Sequence, residues 1–177
     1  MRSWLAENYE RTESVWLVTY KKHTGDKYVP YDDIVEEALC FGWVDSLPRK
    51  LDDARTMLLL SPRRPKSPWS GLNKRRVEKL IAANLMTPAG YAKIEQAKQD
   101  GSWTVYDEIE ALIVPPDLAE ALNRMPDGHA LWDARSNSDK KGLLWQIKSA
   151  KRPETRRKRI EKAVATISEG NVGCHKV

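Results

Sequence analysis

The 177 residues carry a formal charge of +5, a pI near 9.2 and a mean hydropathy of −0.63, with 31% of side chains charged. That length suits one domain, or a domain with a helical appendage, and it can bury a core of its own. No apolar run approaches the roughly 20 residues that cross a bilayer. Residues 1–14 hold acids where a secretory signal holds an apolar stretch, so a cytoplasmic location is expected. Cys40 and Cys174 form neither a CxxC pair nor a four-ligand zinc site, and neither metal nor cofactor is expected.

Ser3 is placed to cap a short helix through Asn8, after which residues 14–22 (SVWLVTYKK) turn β-branched and aromatic and are read as a strand. Residues 23–27 are its exit turn. Pro30 opens a helix over 31–41, with acids in the first turn, Ile34, Val35, Ala38, Leu39 and Phe41 on one face, and Gly42 as the stop. Three short strands follow at 43–46, 49–52 and 55–62, with Leu58, Leu59 and Leu60 as the most buried run. Together with 14–22 they make a small antiparallel sheet. Pro62, Pro65 and Pro68 hold 62–68 as a rigid extended loop that carries Arg63, Arg64 and Lys66.

Ser70 or Asn73 caps a helix to Asn84, and Thr87-Pro88 starts another that runs to Gln99. Residues 103–114 yield no firm element. Pro115-Pro116 restarts a helix to Arg124, 130–135 form a short one, Ser138 caps 140–150, and 154–169 form the last, ended by Gly170. The expected fold class is α+β: a small antiparallel sheet in the N-terminal half packed by helices, with an all-helical C-terminal region. The expected division is a core domain over 1–114 and a helical region over 115–177 packed into the same globule.

Charge falls in blocks. Residues 49–79 carry ten basic against three acidic side chains, 140–162 carry ten against two, and 80–139 reverse the sign with four against ten. Blocks of this kind either neutralise one another in the fold or form a nucleic-acid face. Trp145 is the lone aromatic within 140–162 and no known nucleic-acid module is spelled out, so complementary faces are the expected use.

His23, His129 and His175 fall in turns and a tail and read as surface residues, while Cys40, on the apolar face of its helix, reads as a small buried hydrophobe. No G-x-S-x-G, H-E-x-x-H, P-loop or G-x-G-x-x-G pattern occurs, and no catalytic residue is assigned. The candidate ligand-binding residues are Trp43, Asp45, Arg63, Arg64, Trp69 and Asn73. A carboxylate inside the strand WVDS needs a cation when it leaves water, and Arg63 is the expected partner of Asp45. That pair is either a strut between strand and loop or one wall of a shallow pocket. In the pocket, Trp43 and Trp69 stack on a planar or apolar group while Arg63 or Arg64 holds an anion.

Three stretches, ALCFGWVDS, SPRRPKSPWSGLNKRRVEKLIAANLMTPAGYAKIEQAKQDGSW and WQIKSAKRPETRRKRIEKAV, resemble the YdeI/OmpD-associated family of bacteriocin-protection proteins, over nearly the whole chain. The resemblance implies a bacterial protein of mixed α and β structure with a helical C-terminal region and no established catalytic residues. It also implies association with an outer-membrane porin or protection from a bacteriocin. The expected function is therefore a non-enzymatic stress or protection protein that binds an anionic or aromatic ligand or a protein partner. A nucleic-acid-binding protein using 49–79 and 140–162 is the second reading, and an enzyme centred on Asp45 the third.

Overall fold

Alternation of apolar side chains sets the first layer of the computed structural model, which describes residues 1–169. Strand β1 (Val15–Tyr20) turns Val15 and Leu17 inward, and β3 (Arg55–Pro62) buries Leu58 and Leu60 while Leu59 faces the other way. A strand's period of two thus divides the expected Leu58-Leu59-Leu60 run between two faces. The sheet order is β1-β3-β2, antiparallel throughout, with β3 central and Leu17 opposite Leu58.

The two strands expected at 43–46 and 49–52 are one continuous strand, β2 (Trp43–Lys50), with a register irregularity between Asp45 and Pro48. Pro48 has no N–H to give a ladder, and an edge strand is where a sheet tolerates that. A short helix α1 (Arg2–Asn8) begins one residue before Ser3, which therefore does not cap it. Residues Lys22–Lys27 form a 3-10 turn pivoting on Gly25.

Helix α2 (Tyr31–Cys40) lays Ile34, Val35, Ala38, Leu39 and Cys40 into the core. Gly42, with φ +74°, then reverses the chain into β2, and a Cβ there would sit 2.5 Å from the Lys93 Cγ. Ser70 caps α3 (Gly71–Ala82) by accepting the Asn73 N–H, and Thr87 caps α4 (Pro88–Gln99) by accepting the Gly90 N–H. The Thr87 hydroxyl also donates to the Cys40 carbonyl at 2.6 Å, which ties the start of α4 to the end of α2.

This contact is close enough to exclude a methyl group. A Cβ on Gly90 would lie 2.4 Å from the Cys40 carbonyl oxygen and 3.0 Å from that of Leu39, both backbone atoms. Alanine gains ~1 kcal/mol of helix propensity over glycine, but forcing two backbones apart in a packed core costs ~1–3 kcal/mol or more. Gly90→Ala is expected to lower stability by ~1–2 kcal/mol in urea denaturation. Equal or higher stability would show that α4 is free to shift.

The chain divides into two units, Met1–Val105 and Tyr106–Val177. In the second, α5 (Asp107–Glu110), α6 (Pro116–Asn123), α7 (Gly128–Asp133), α8 (Asn137–Lys148) and α9 (Pro153–Ser168) enclose Ile109, Leu118, Leu122, Trp132, Leu144, Ile147, Ile160, Ala163 and Ile167. Ser136, rather than Ser138, caps α8, accepting the Asp139 N–H at 3.2 Å. Among the described residues no helix is long and apolar enough to cross a membrane. Gly170, Cys174 and His175 lie outside the described residues.

Candidate functional site

The proline-punctuated loop after β3 is held at both ends. The Arg63 N–H donates to the Gly42 carbonyl at 2.9 Å, and the Asp100 carboxylate accepts the N–H groups of Lys66 at 2.8 Å and Ser102 at 2.9 Å. The nearby Ser102 side chain first, and then the N–H groups of Ser102 and Lys66, hold the Asp100 carboxyl below the usual carboxylate range. The loop therefore presents Arg63 and Arg64 from a fixed frame.

Arg63 is 4% exposed and lies 3.7 Å over the Trp69 ring. Its Nη1 donates to the carbonyls of Pro68 at 3.1 Å and Ser67 at 3.3 Å, while its buried Nε has no hydrogen-bond partner. Among the described residues no carboxylate comes within ion-pair distance of it: Asp45 acts on it only from afar, and burial pulls the guanidinium down to about 10. A cation kept in a low-dielectric setting without a counter-charge is costly, and function is a common reason for one to persist.

Asp45 is partly buried, as expected, but its partner is the Tyr31 hydroxyl and not Arg63. The strand's period of two puts Asp45 on the same face as the buried Trp43, the face that meets α2, where Tyr31 stands at the first turn. Partial burial first, and then the bond to Asp45, push the Tyr31 hydroxyl up to about 12.

Neither Trp43 nor Trp69 offers a face for stacking. Trp43 is fully buried, donates from Nε1 to the Tyr9 carbonyl at 3.3 Å and meets the Trp4 ring edge-on at 5.9 Å. Trp69 is 1% exposed, with Arg63 on one side and Trp103 at 5.0 Å between centroids. Asn73 is used locally: its Oδ1 accepts from Arg76, which pairs with Asp32. The structure thus groups Arg63 with Trp69, sets Asp45 with Tyr31, and leaves Trp43 and Asn73 in separate structural roles.

Of the residues expected to line a pocket, Arg63 and Arg64 do line a cavity of about 500 Å³, whereas Trp43, Asp45, Trp69 and Asn73 do not. Arg11 from the loop after α1, Arg63 and Arg64 from the loop after β3, and Lys93 from α4 line it, with Glu10 the only acid among the described residues that do so. Phe41, Pro62, Pro65, Ala89 and Ala92 supply an apolar wall. Four cations against one carboxylate over such a wall suit an anion with an apolar body. Arg63 and Arg64 stood out in the sequence, but Arg11 and Lys93 share no local pattern with them, so no motif marked those two.

The basic blocks are engaged largely by acids and helix ends. In the second unit Lys141 pairs with Glu110, Lys148 with Glu108, Arg156 with both Asp117 oxygens, Lys158 with Glu154 and Arg157 with Glu161. Arg159 donates to the Gln146 carbonyl and the Ser149 hydroxyl, and Lys140 to the Asp133 carbonyl, each near the end of a helix. In the first unit Arg76 and Lys79 meet Asp32 and Glu36. Cys40 is 1% exposed, and burial pushes its thiol up, away from the nucleophilic thiolate. His23 and His129 are exposed, the latter bonded to Asn123 at 2.8 Å.

Residues 1–93, just over half the chain, match a family model described as a domain of unknown function, DUF8412. The chain belongs to that family. Residues 111–170 match a second model, described as Bacteriocin-protection, YdeI or OmpD-Associated. The stretch WQIKSAKRPETRRKRIEKAV lies inside that match, whereas ALCFGWVDS falls within the DUF8412 segment. No curated protein and no solved structure matches the chain.

Proposed function

We propose that this DUF8412 chain is a non-enzymatic protein of the bacteriocin-protection type that acts by binding an anionic ligand in the cavity beside Arg63. One observation carries the reading: a guanidinium 4% exposed, with no carboxylate at ion-pair distance among the described residues, lines a cavity of about 500 Å³ together with Arg11, Arg64 and Lys93. The YdeI/OmpD-associated match over 111–170 is consistent with the protective role. The nucleic-acid reading draws less support, because most cations of 140–162 already face carboxylates or helix ends.

The test is a thermal-shift screen of aliphatic and aromatic carboxylates and phosphate esters against the full chain. A ligand that binds only the folded state raises the melting temperature by mass action, the equivalent of ~2.7 kcal/mol at a hundredfold excess over Kd. Arg64 is exposed and Lys93 makes no ion pair among the described residues, so Arg64→Gln with Lys93→Gln is expected to abolish the shift while leaving the ligand-free melting temperature near wild type. An absence of anionic hits, or hits that the double variant binds equally well, would refute the proposal.

A further inference from the structure

β1 alternates as a half-buried strand should, yet its outward residues are not polar. Trp16, Val18 and Tyr20 are 38%, 45% and 37% exposed, and the register sets Leu59, Met57 and Arg55 of β3 beside them. A sheet with one solvated face ordinarily places polar side chains there. β1 is also an edge strand.

The direction of its backbone groups follows from one bond. The Lys21 N–H donates to the Ala54 carbonyl at 2.9 Å, one step beyond the Tyr20–Arg55 pair. In an antiparallel ladder, residues alternate between those that bond the neighbouring strand and those whose N–H and C=O point away. Val15, Leu17 and Thr19 therefore turn toward β3, and Trp16, Val18 and Tyr20 toward the open edge. The outer side of Tyr20 is taken by its parallel bridge to Tyr28. Trp16 and Val18 keep outward N–H and C=O groups with no backbone partner among the described residues. Between Val15 and Tyr20 there is no charge, no proline and no bulge, the devices by which edge strands avoid self-pairing.

We propose that β1 pairs antiparallel with β1 of a second copy of this chain, Trp16 opposite the partner's Val18 and Leu17 on the two-fold axis. This register makes four main-chain bonds from the outward groups of Trp16 and Val18 in each copy, and it ends before the Tyr20–Tyr28 bridge. A two-fold axis perpendicular to the sheet keeps the outward side chains of both copies on one face, so Trp16 packs on the partner's Val18. Charge is complementary at both ends of the uncharged strand: Glu13, 78% exposed and 3.6 Å from Arg11 of its own copy, meets Lys22 of the other, and Lys21 where that side chain leaves the Asp52 carbonyl. Face-to-face packing of the two sheets is the poorer arrangement, because Arg49, 5.0 Å over the Trp16 ring, would be buried against its own copy without a carboxylate.

Sedimentation velocity of the full chain over a range of concentrations tests this. A monomer–dimer equilibrium is expected. Glu13→Lys, at an exposed side chain, is expected to weaken it about tenfold or more, with recovery in Glu13→Lys/Lys21→Glu/Lys22→Glu. Val18→Pro removes an outward donor that β3 does not use, and is expected to give monomer. A chain monomeric at every concentration overturns the proposal, as does a dimer indifferent to both Glu13→Lys and Val18→Pro. A monomer whose tryptophan emission is quenched by single-stranded DNA, but not in Trp16→Ala, overturns it too and assigns the face to nucleic acid.

Discussion

Removal of residues 152–177 is expected to unfold the second unit. Helix α9 contributes Ile160, Ala163 and Ile167 to a core of nine buried residues, and Val164 packs against that core. Burying one large aliphatic side chain stabilises by ~1.5–3 kcal/mol, and a unit of this size has little stability in reserve. The cut also strands polar partners. Asp117 loses the Arg156 fork that holds its carboxyl below the usual range, and Arg135 loses the Thr166 carbonyl to which it donates. Amide NMR spectra should show resonances of 106–151 collapsing toward the random-coil region. A truncated chain that retained dispersed signals there would show α9 to be an appendage.

Trp43→Ala is expected to be the most destabilising single substitution in the first unit. The indole is fully buried in the cluster formed by Leu5, Val35, Ala38, Leu39 and Leu60, and its Nε1 fastens the loop after α1 through the Tyr9 carbonyl. Truncating a buried tryptophan costs ~3–5 kcal/mol, against a total of about 5–15 kcal/mol for an ordinary domain. For a unit of this length each kcal/mol moves Tm by roughly 4–8 °C, so a drop of about 12 °C or more is expected. Trp43→Phe, which keeps most of the apolar volume and loses the hydrogen bond, should fall between the two. A Trp43→Ala protein within about 5 °C of wild type would show that the cluster repacks around the loss.

The sequence by itself determined the elements whose causes are local. Proline followed by acids starts α2, Thr87-Pro88 starts α4 at the expected residue, and the β-branched run at 15–20 is a strand because each of these signals acts within a few residues. It determined the α+β class for the same reason, and the tail motif marked the segment that the YdeI/OmpD-associated model matches. Tertiary structure alone decided which partner each polar side chain found. Asp45 and Arg63 are near in sequence and complementary in charge, yet pleat and register gave Asp45 to Tyr31 on α2, while the loop folded Arg63 back over Trp69. Trp43 and Trp69 carried the same ambiguity, since an indole suits a core as well as a pocket and only packing chooses. The cavity beside Arg63 joins Arg11, Arg64 and Lys93 across more than 80 positions. Its charge is a sum over side chains brought together by the fold, and no local period in the sequence encodes such a sum.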